Sequence, residues 1–556
     1  MIGPKAARHA MLGCAATIAV ATASAASAQA APNDCAGLKQ LKLPHVEILI
    51  ATPVSGTFRE DMVVERAPRT FTGLKAFCRV RGISRPVAGS AIGFEVWLPS
   101  GGWSSRLHMI GNGAYVSNIS YKQMIARLDD NDVAVATDTG HTGTDLEFGW
   151  KHPERIVDFS RRAVHESVVA AKAITRAFYG KAARWSYFSG CSTGGYQALS
   201  SAQHYPKDFD GIIAGAPGNN RTSLTMAFLW NYLSNHRPGD DSTPILTGAD
   251  LLLINRAVVA DCDKLDGVED GVVSDPRRCG FRIATLRCRP GQAAGTCLTG
   301  EQIAAAQRIY DGPKDKRTGK AIYPGYPLGT EGVMTGPSDP HPGWTGYWSE
   351  TANPREPSRA DMFRYWVFDD PKWSWWNFNW GSDVDTMRRK LGPIFDANDS
   401  NLTPFSRAGG KLIMFMGWQD PVGTPLEAIN YYRAVAGHAG GLTAAQAFAR
   451  LFMVPGMDHC ASGPGATNLS TATRDSTPPV RDAAHDMTLA LEAWVERGQA
   501  PRELIATRYV AADEGTPPEK HPIDFQRPIC AWPAEPVYRG GDTRLATSFV
   551  CRPPRK

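Results

Sequence analysis

The chain has 556 residues, 43% hydrophobic and 21% charged, an ordinary globular composition with ample apolar material for a large core. Its 60 basic and 55 acidic residues leave a formal net charge of +5 without a basic run, which argues against a nucleic-acid partner. No stretch of about 18 uninterrupted apolar residues occurs, which argues against a membrane-spanning helix.

The first 30 residues read as a secretory signal. Lys5 and Arg8 give a positive start, Ala10 to Ala23 is mostly small and apolar, and Ala28-Gln29-Ala30 fits a cleavage site ahead of Ala31. "HVEILIATPV", "FCRVRGIS", "GFEVWLPS" and "RLHMIGNGAY" then read as strands, short and β-branched between turn residues. "NDVAVATDTGHTG" is a buried strand entering a glycine-rich turn. "AVHESVVAAKAITRAFYG" has helical apolar spacing and stops at Gly180. "RWSYFSG" reads as strand, "GYQALSSAQHYP" as helix and "FDGIIAGAPGNN" as strand. Strands alternating with helices predict an α/β fold with a largely parallel sheet.

From about Asn219 to Phe395 the alternation stops. This segment carries four cysteines, many Pro and Gly, and seven of the fifteen tryptophans between Trp344 and Trp380. Alternation resumes with strand "GGKLIMFMGWQD", helix "PLEAINYYRAVA", strand "ARLFMVPGMDHC" and helix "RDAAHDMTLALEAWVERG". The predicted organisation is a signal over 1–30, an α/β domain over 31–218 and 396–556, and an inserted lid over 219–395.

Gly190-Cys191-Ser192-Thr193-Gly194 matches G-x-S-x-G between a predicted strand and a predicted helix, the context of a nucleophile elbow. A hydroxyl needs a base at neutral pH, and the α/β-hydrolase order is Ser, acid, His. Asp420 stands just past one late strand and His459 just past the next. Either one alone could be a turn or loop residue. Three in order, each after its own strand, point to a catalytic triad.

Ten cysteines remain beyond Cys14 of the signal: Cys35, Cys78, Cys191, Cys262, Cys279, Cys288, Cys297, Cys460, Cys530 and Cys551. Even parity in an exported chain without any C-x-x-C favours disulfides over metal thiolates. Short spans make Cys262–Cys279, Cys288–Cys297 and Cys530–Cys551 the simplest pairings. Cys191 precedes Ser192 and Cys460 follows His459, so a shared hydrogen bond between serine and histidine would force these two sulfurs together. A Cys191–Cys460 bond would staple nucleophile to base.

An oxyanion hole needs two backbone N–H donors. Thr193, after the nucleophile, supplies one, and Gly113 in the early "MIGNGAY" turn is the candidate for the other. In the insert, "DCDKLDGVEDGVV" gathers Asp263, Asp266 and Asp270 between Cys262 and Cys279. Carboxylates with backbone carbonyls suit a hard ion such as calcium, without the EF-hand spacing. On composition alone the loop reads first as a solvated acidic loop.

The G-C-S-T-G-G elbow, the D-H-C near the end, the late W-x-D-P and the C-D-x-x-D-G-x-x-D-G-V loop together resemble the tannase and feruloyl esterase family, which includes mono-hydroxyethyl terephthalate hydrolase. The resemblance spans essentially the whole mature chain. It implies an α/β-hydrolase core with a large inserted lid, and Ser192, Asp420 and His459 as the triad. It implies disulfides Cys191–Cys460 and Cys35–Cys78, and a structural Ca2+ on Asp263, Asp266 and Asp270 with the carbonyls of Val268 and Val272. No organic cofactor is implied. The loop often written G-N-G-G-F in relatives is Gly111-Asn112-Gly113-Ala114-Tyr115 here.

The expected function is thus a secreted or periplasmic serine carboxylesterase acting on small esters of phenolic acids such as feruloyl or galloyl esters. The tryptophan-rich lid would offer flat walls for the ring. Alternatives are a terephthalate-monoester hydrolase, a peptidase or lipase on the same fold, and a non-catalytic exported binder of phenolics. Arg364 in "MFRYWVF" is the lid arginine available for a terephthalate carboxylate, though it reads first as a packed surface residue.

Overall fold

The computed structural model describes Met1 and residues 34–554, except 65, 337–338, 342, 351–352, 471–475 and 511–519. The segment read as a signal, including Lys5, Arg8 and Ala28 to Ala30, and the expected mature start Ala31 lie outside the described residues. The chain opens with β1 (Val46–Arg59), β2 (Thr70–Ser84) and β3 (Ile92–Pro99). They form an antiparallel meander, because their short connections hold no crossover helix. After β4 (Arg106–Ile110), helix α1 (Tyr121–Asp129) leads to β5 (Val133–Thr137), which pairs parallel to β4 and antiparallel to β3.

The next crossover runs through the short α2 (Pro153–Val157) and α3 (Ala163–Tyr179), which ends at Gly180 with φ 69°. Then come β6 (Trp185–Cys191), α4 (Thr193–His204) and β7 (Gly211–Gly215). Between β7 and the next strand of the large sheet lie α5 (Arg221–Asn235), α6 (Gly248–Cys262), α7 (Gly300–Asp311), the small hairpin β8 (Val333–Gly336) and β9 (Asp339–His341), and α8 (Ser382–Phe395). The core resumes with the short α9 (Thr403–Arg407), β10 (Lys411–Gly417), α10 (Pro425–His438), the short α11 (Leu442–Gln446), β11 (Ala449–Val454) and α12 (Met487–Arg497).

The resulting nine-stranded sheet has the order β1-β2-β3-β5-β4-β6-β7-β10-β11. The α/β-hydrolase-type core is therefore mixed, with a parallel half from β5 to β11 and an antiparallel half before it. The parallel strands are apolar on both faces because helices cover both. Along β10, Leu412, Met414 and Met416 enter one core, while Ile413 and Phe415 enter the other with α12.

Segment 219–395 adds no strand to the large sheet, but it is not packed as one separate unit. Met226 and Leu229 of α5, and Met387, Leu391 and Phe395 of α8, join the principal core. The middle of the segment has a core of its own, with Leu251, Ile254, Val258, Ile303, Ile309 and Trp344, and Leu224, Ala227 and Phe228 of α5 form a smaller cluster with Tyr323.

Beyond α12 four strands follow that the sequence reading did not predict. Hairpin β12 (Glu503–Tyr509) with β13 (Ile523–Cys530) packs Leu504, Ala506 and Ile529 onto the α12 side of the sheet. Hairpin β14 (Glu535–Tyr538) with β15 (Phe549–Arg552) is tied to β13 by Cys530–Cys551. The other disulfides are Cys35–Cys78, Cys191–Cys460, Cys262–Cys279 and Cys288–Cys297. Among the described residues no helix is long and apolar enough to cross a membrane.

Candidate active site

Strand β6 ends at Cys191 and α4 begins at Thr193, so Ser192 alone makes the turn. Its φ is 62° and ψ −120°, a conformation that non-glycine residues rarely hold. The turn closes because Gly190 and Gly194 have no side chains: a Cβ on Gly190 would stand 2.6 Å from the Cα of Gly194. Gly195 has a different reason, since a Cβ there would run into the Gly215 carbonyl oxygen where α4 lies on β7. The Ser192 N–H donates to that same oxygen at 3.0 Å, anchoring the elbow to the neighbouring strand.

Asp420 follows β10 and is fully buried. Its Oδ1 accepts the N–H groups of Val422 (2.8 Å) and Gly423 (3.3 Å), and its Oδ2 lies 2.7 Å from His459 Nδ1. A buried carboxylate there keeps the proton on Nδ1 and leaves Nε2 as the basic nitrogen. The loops after β10 and β11 meet at Gly417, where a Cβ would overlap the Met457 carbonyl oxygen, and Gln419 N–H donates to that oxygen at 3.0 Å. The Cys191–Cys460 disulfide, Cα to Cα 5.8 Å, joins the residue before Ser192 to the residue after His459. Cys460 itself sits at φ 72°. Ser192, Asp420 and His459 thus all follow the C-terminal ends of parallel strands, the edge where open α/β sheets carry their sites.

The glycine-rich turn after β4 lies directly on the elbow: a Cβ on Gly111 would stand 2.6 Å from Gly194 Cα. Asn112 locks it there, with its N–H donating to Gln197 Oε1 (3.0 Å) and its Oδ1 accepting from Gln197 Nε2 (3.3 Å). That pairing had no signal in the sequence beyond two polar residues on adjacent elements. Thr193 begins α4, so its N–H has no partner within the helix. Gly113 is half-buried, with open space where a side chain would be.

The seven tryptophans between Trp344 and Trp380 are largely packed. Trp344, Trp348, Trp366 and Trp375 are buried, and Trp373, Trp376 and Trp380 pack against the principal core. Trp366 Nε1 donates to the Leu146 carbonyl at 2.7 Å, and Trp375 and Trp376 both donate to Asp241. Trp366 thereby ties the insert to the core, whereas Trp375 and Trp376 fasten the insert to itself, and Trp344 and Trp348 fill its own cluster. The aromatic beside the histidine is Tyr347, edge-on to His459 at 6.1 Å between ring centres. Arg364 is committed within the insert, to Glu356 (3.0 Å) and Asp361 (2.7 Å).

In the acidic loop, Asp263 accepts the N–H groups of Asp270, Gly271 and Val272, and Asp266 accepts those of Val268 and the Ser274 hydroxyl. Gly267 (φ 93°) and Gly271 (φ 79°) turn the backbone back on itself, and Cys262–Cys279 closes the base. Burial pushes Asp266 and Asp270 above the usual carboxylate range, and Arg527 pairs with Asp270. The donor set is hard and anionic, which fits calcium in type. Among the described residues, the group of three His, Cys, Asp or Glu with ligand atoms within 4.8 Å of one another lies elsewhere: His108, Asp132 and Glu492. The loop carboxylates stand wider apart than that. At His108 two guanidiniums, Arg106 and Arg127, already supply the positive charge.

Residues 78–552 match the family model described as tannase and feruloyl esterase. The chain belongs to the tannase and feruloyl esterase family. It is 36% identical over 558 residues to an uncharacterized esterase of Xanthomonas campestris pv. campestris, covering 95% of this chain and 92% of that protein. It is 30% identical to a probable feruloyl esterase B of Aspergillus clavatus, over 94% of this chain and 96% of the relative. The crystal structure of feruloyl esterase B from Aspergillus oryzae superposes with a TM-score of 0.82 at 26% identity, covering 93% and 99% of the two chains. Tannin acyl hydrolase from Aspergillus niger shares the fold at 21% identity, with a TM-score of 0.69 over 94% of this chain and 96% of that one. The protein is accordingly a carboxylic ester hydrolase.

Proposed function

We propose that this family member is an exported serine esterase that cleaves esters of phenolic acids through an acyl-enzyme on Ser192. The observation that carries the reading is the convergence of an elbow serine, a histidine bonded at 2.7 Å to a buried aspartate, and a disulfide joining the two loops. His459 Nε2 takes the proton of Ser192 Oγ as that oxygen attacks the ester carbonyl carbon. The resulting oxyanion rests on the N–H groups of Thr193 and Gly113. Collapse breaks the bond to the alcohol, which leaves with the proton from His459. Water then attacks the acyl-serine, His459 again carries its proton, and the free acid departs. Asp420 keeps its charge throughout and holds the imidazolium in place.

Names of relatives such as the Aspergillus oryzae feruloyl esterase B support hydroxycinnamoyl esters as substrates. Arg364, already occupied by Glu356 and Asp361, gives no support to a terephthalate monoester. Five disulfides agree with export to an oxidising compartment. Calcium, held by Asp263, Asp266 and Asp270 with the carbonyls of Val268 and Val272, would neutralise the acidic loop and stiffen the insert, taking no part in the chemistry. Hydrolysis of methyl ferulate, methyl gallate and the hydroxyethyl terephthalate monoester is the test. Ferulate or gallate turnover that disappears in Ser192→Ala is expected. Turnover retained in that variant would overturn the mechanism, and turnover of the terephthalate ester alone would overturn the substrate class.

A further inference from the structure

Arg221, the first residue of α5, is 6% exposed and forms no ion pair among the described residues. Its charge is instead caged by rings: its Cζ lies 5.5 Å from the ring centre of Tyr115, 4.9 Å from Tyr196 and 5.7 Å from Phe395. Its Nη2 donates to Thr193 Oγ1 at 2.7 Å, and Thr193 Oγ1 donates to the Ala114 carbonyl at 2.6 Å. Asp396, the carboxylate at this helix start, is taken by the N–H and hydroxyl of Thr222, both at 2.8 Å.

We propose that Arg221 is a positioning residue that sets the geometry of the oxyanion hole through the Thr193 hydroxyl. The proposal rests on the serine-esterase reading above. A threonine hydroxyl can turn to donate in any direction, but a guanidinium can only donate. Thr193 Oγ1 must therefore accept from Arg221 and spend its own proton on Ala114. The bond chain joins one oxyanion donor residue, Thr193, to the residue beside the other, Gly113. It also anchors the carbonyl of Ala114, whose φ of 43° is uncommon for a non-glycine residue. Aromatic faces surround the guanidinium, and among the described residues no carboxylate is ion-paired with it, Asp396 being engaged by backbone N–H and the Thr222 hydroxyl. The guanidinium stands one hydrogen bond from the residue that meets the developing negative charge, in a buried setting where such a charge acts strongly.

The test compares Arg221→Met, Thr193→Val, Thr193→Ser and the double variant Arg221→Met/Thr193→Val. The readouts are thermal midpoint, kcat and KM on methyl ferulate, and affinity for an aryl boronate and for ferulate itself. Arg221→Met and Thr193→Val are each expected to lose on the order of 100-fold in kcat with KM changed less than about threefold. Boronate binding should weaken in parallel, while ferulate binding should not. The double variant should be no worse than either single one, and Thr193→Ser should retain most activity. Kinetic losses that multiply in the double variant, or a folded Arg221→Met with kcat within about twofold of the parent, would overturn the proposal. If Arg221→Met does not fold, Thr193→Val decides alone, since it leaves the arginine in place: full kcat in that variant overturns the proposal. Ser192→Ala separates the two levels. An inactive Ser192→Ala with a fully active Arg221→Met sinks only the role of Arg221.

Discussion

Replacing both sulfurs of the central disulfide, as Cys191→Ala/Cys460→Ala, perturbs stability and chemistry at once, and the two effects separate. The bond closes a span of 269 residues. Chain-entropy scaling for such a loop gives about 5.6 kcal/mol at 25 °C as the loss on opening it. For a chain of this size the unfolding entropy converts that to a fall of about 5 °C in the thermal midpoint. The shorter Cys262–Cys279 and Cys288–Cys297 loops lie inside the span and reduce the figure only slightly. The second effect is local. Cys460 is held at φ 72° beside His459, and Ser192 at φ 62° beside Cys191. Without the bond both loops are free to relax, and a displacement of about 1 Å between base and nucleophile costs on the order of 100-fold in kcat. Calorimetry gives the first quantity, and methyl ferulate kinetics at 20 °C, where the variant remains folded, give the second. A variant with parental kcat and a midpoint lowered by less than 1 °C would refute both parts of the reasoning.

Asp420→Asn should keep the fold but lower kcat by on the order of 10⁴, because an amide no longer stabilises the imidazolium; steady-state kinetics with a matched melting curve check it. Gly195→Ala should destabilise by at least about 1–3 kcal/mol and move the elbow, since its Cβ meets the Gly215 carbonyl; denaturant unfolding reads the loss, and a parental midpoint would contradict it. Burial pushes Glu492 up to about 8 and Asp132 up to about 6, so the folded state binds more protons than the unfolded chain between pH 4 and 8. The stability these groups contribute is full below about pH 4 and is lost as pH rises through those values; Glu492→Gln should flatten that slope in unfolding midpoints measured from pH 5 to 8. Chelation with EGTA should lower the melting temperature and calcium alone should restore it, whereas Asp266→Asn should melt at the same temperature with and without calcium.

The parts of the fold legible in the sequence were those with a repeating local signal. The parallel strands are continuous apolar runs, and the elbow and the D-H-C segment each sit where a strand ends. The first strands were legible as consecutive strands, but nothing in their composition records that β1 to β3 pair antiparallel. The C-terminal hairpins escaped because "RELIATRYV" and its partners are half-polar and short, and become strands by packing on α12. The insert was bounded by its composition, yet Met226, Met387 and Phe395 belong to the principal core, and no local pattern records which core a helix face joins. The tryptophans were read from their abundance, which does not distinguish a wall from a fastening. Arg221 was invisible for a similar reason: its partners Tyr115, Thr193, Tyr196 and Phe395 are scattered over the chain.

The most direct measurement is acid quenching during the first turnovers with 4-nitrophenyl ferulate, followed by peptide mass mapping. A feruloyl group on Ser192 that forms within the burst and is absent from Ser192→Ala is the expected result. Ferulate released at the parental rate with no covalent adduct on Ser192, or with the adduct on another side chain, would contradict the central claim.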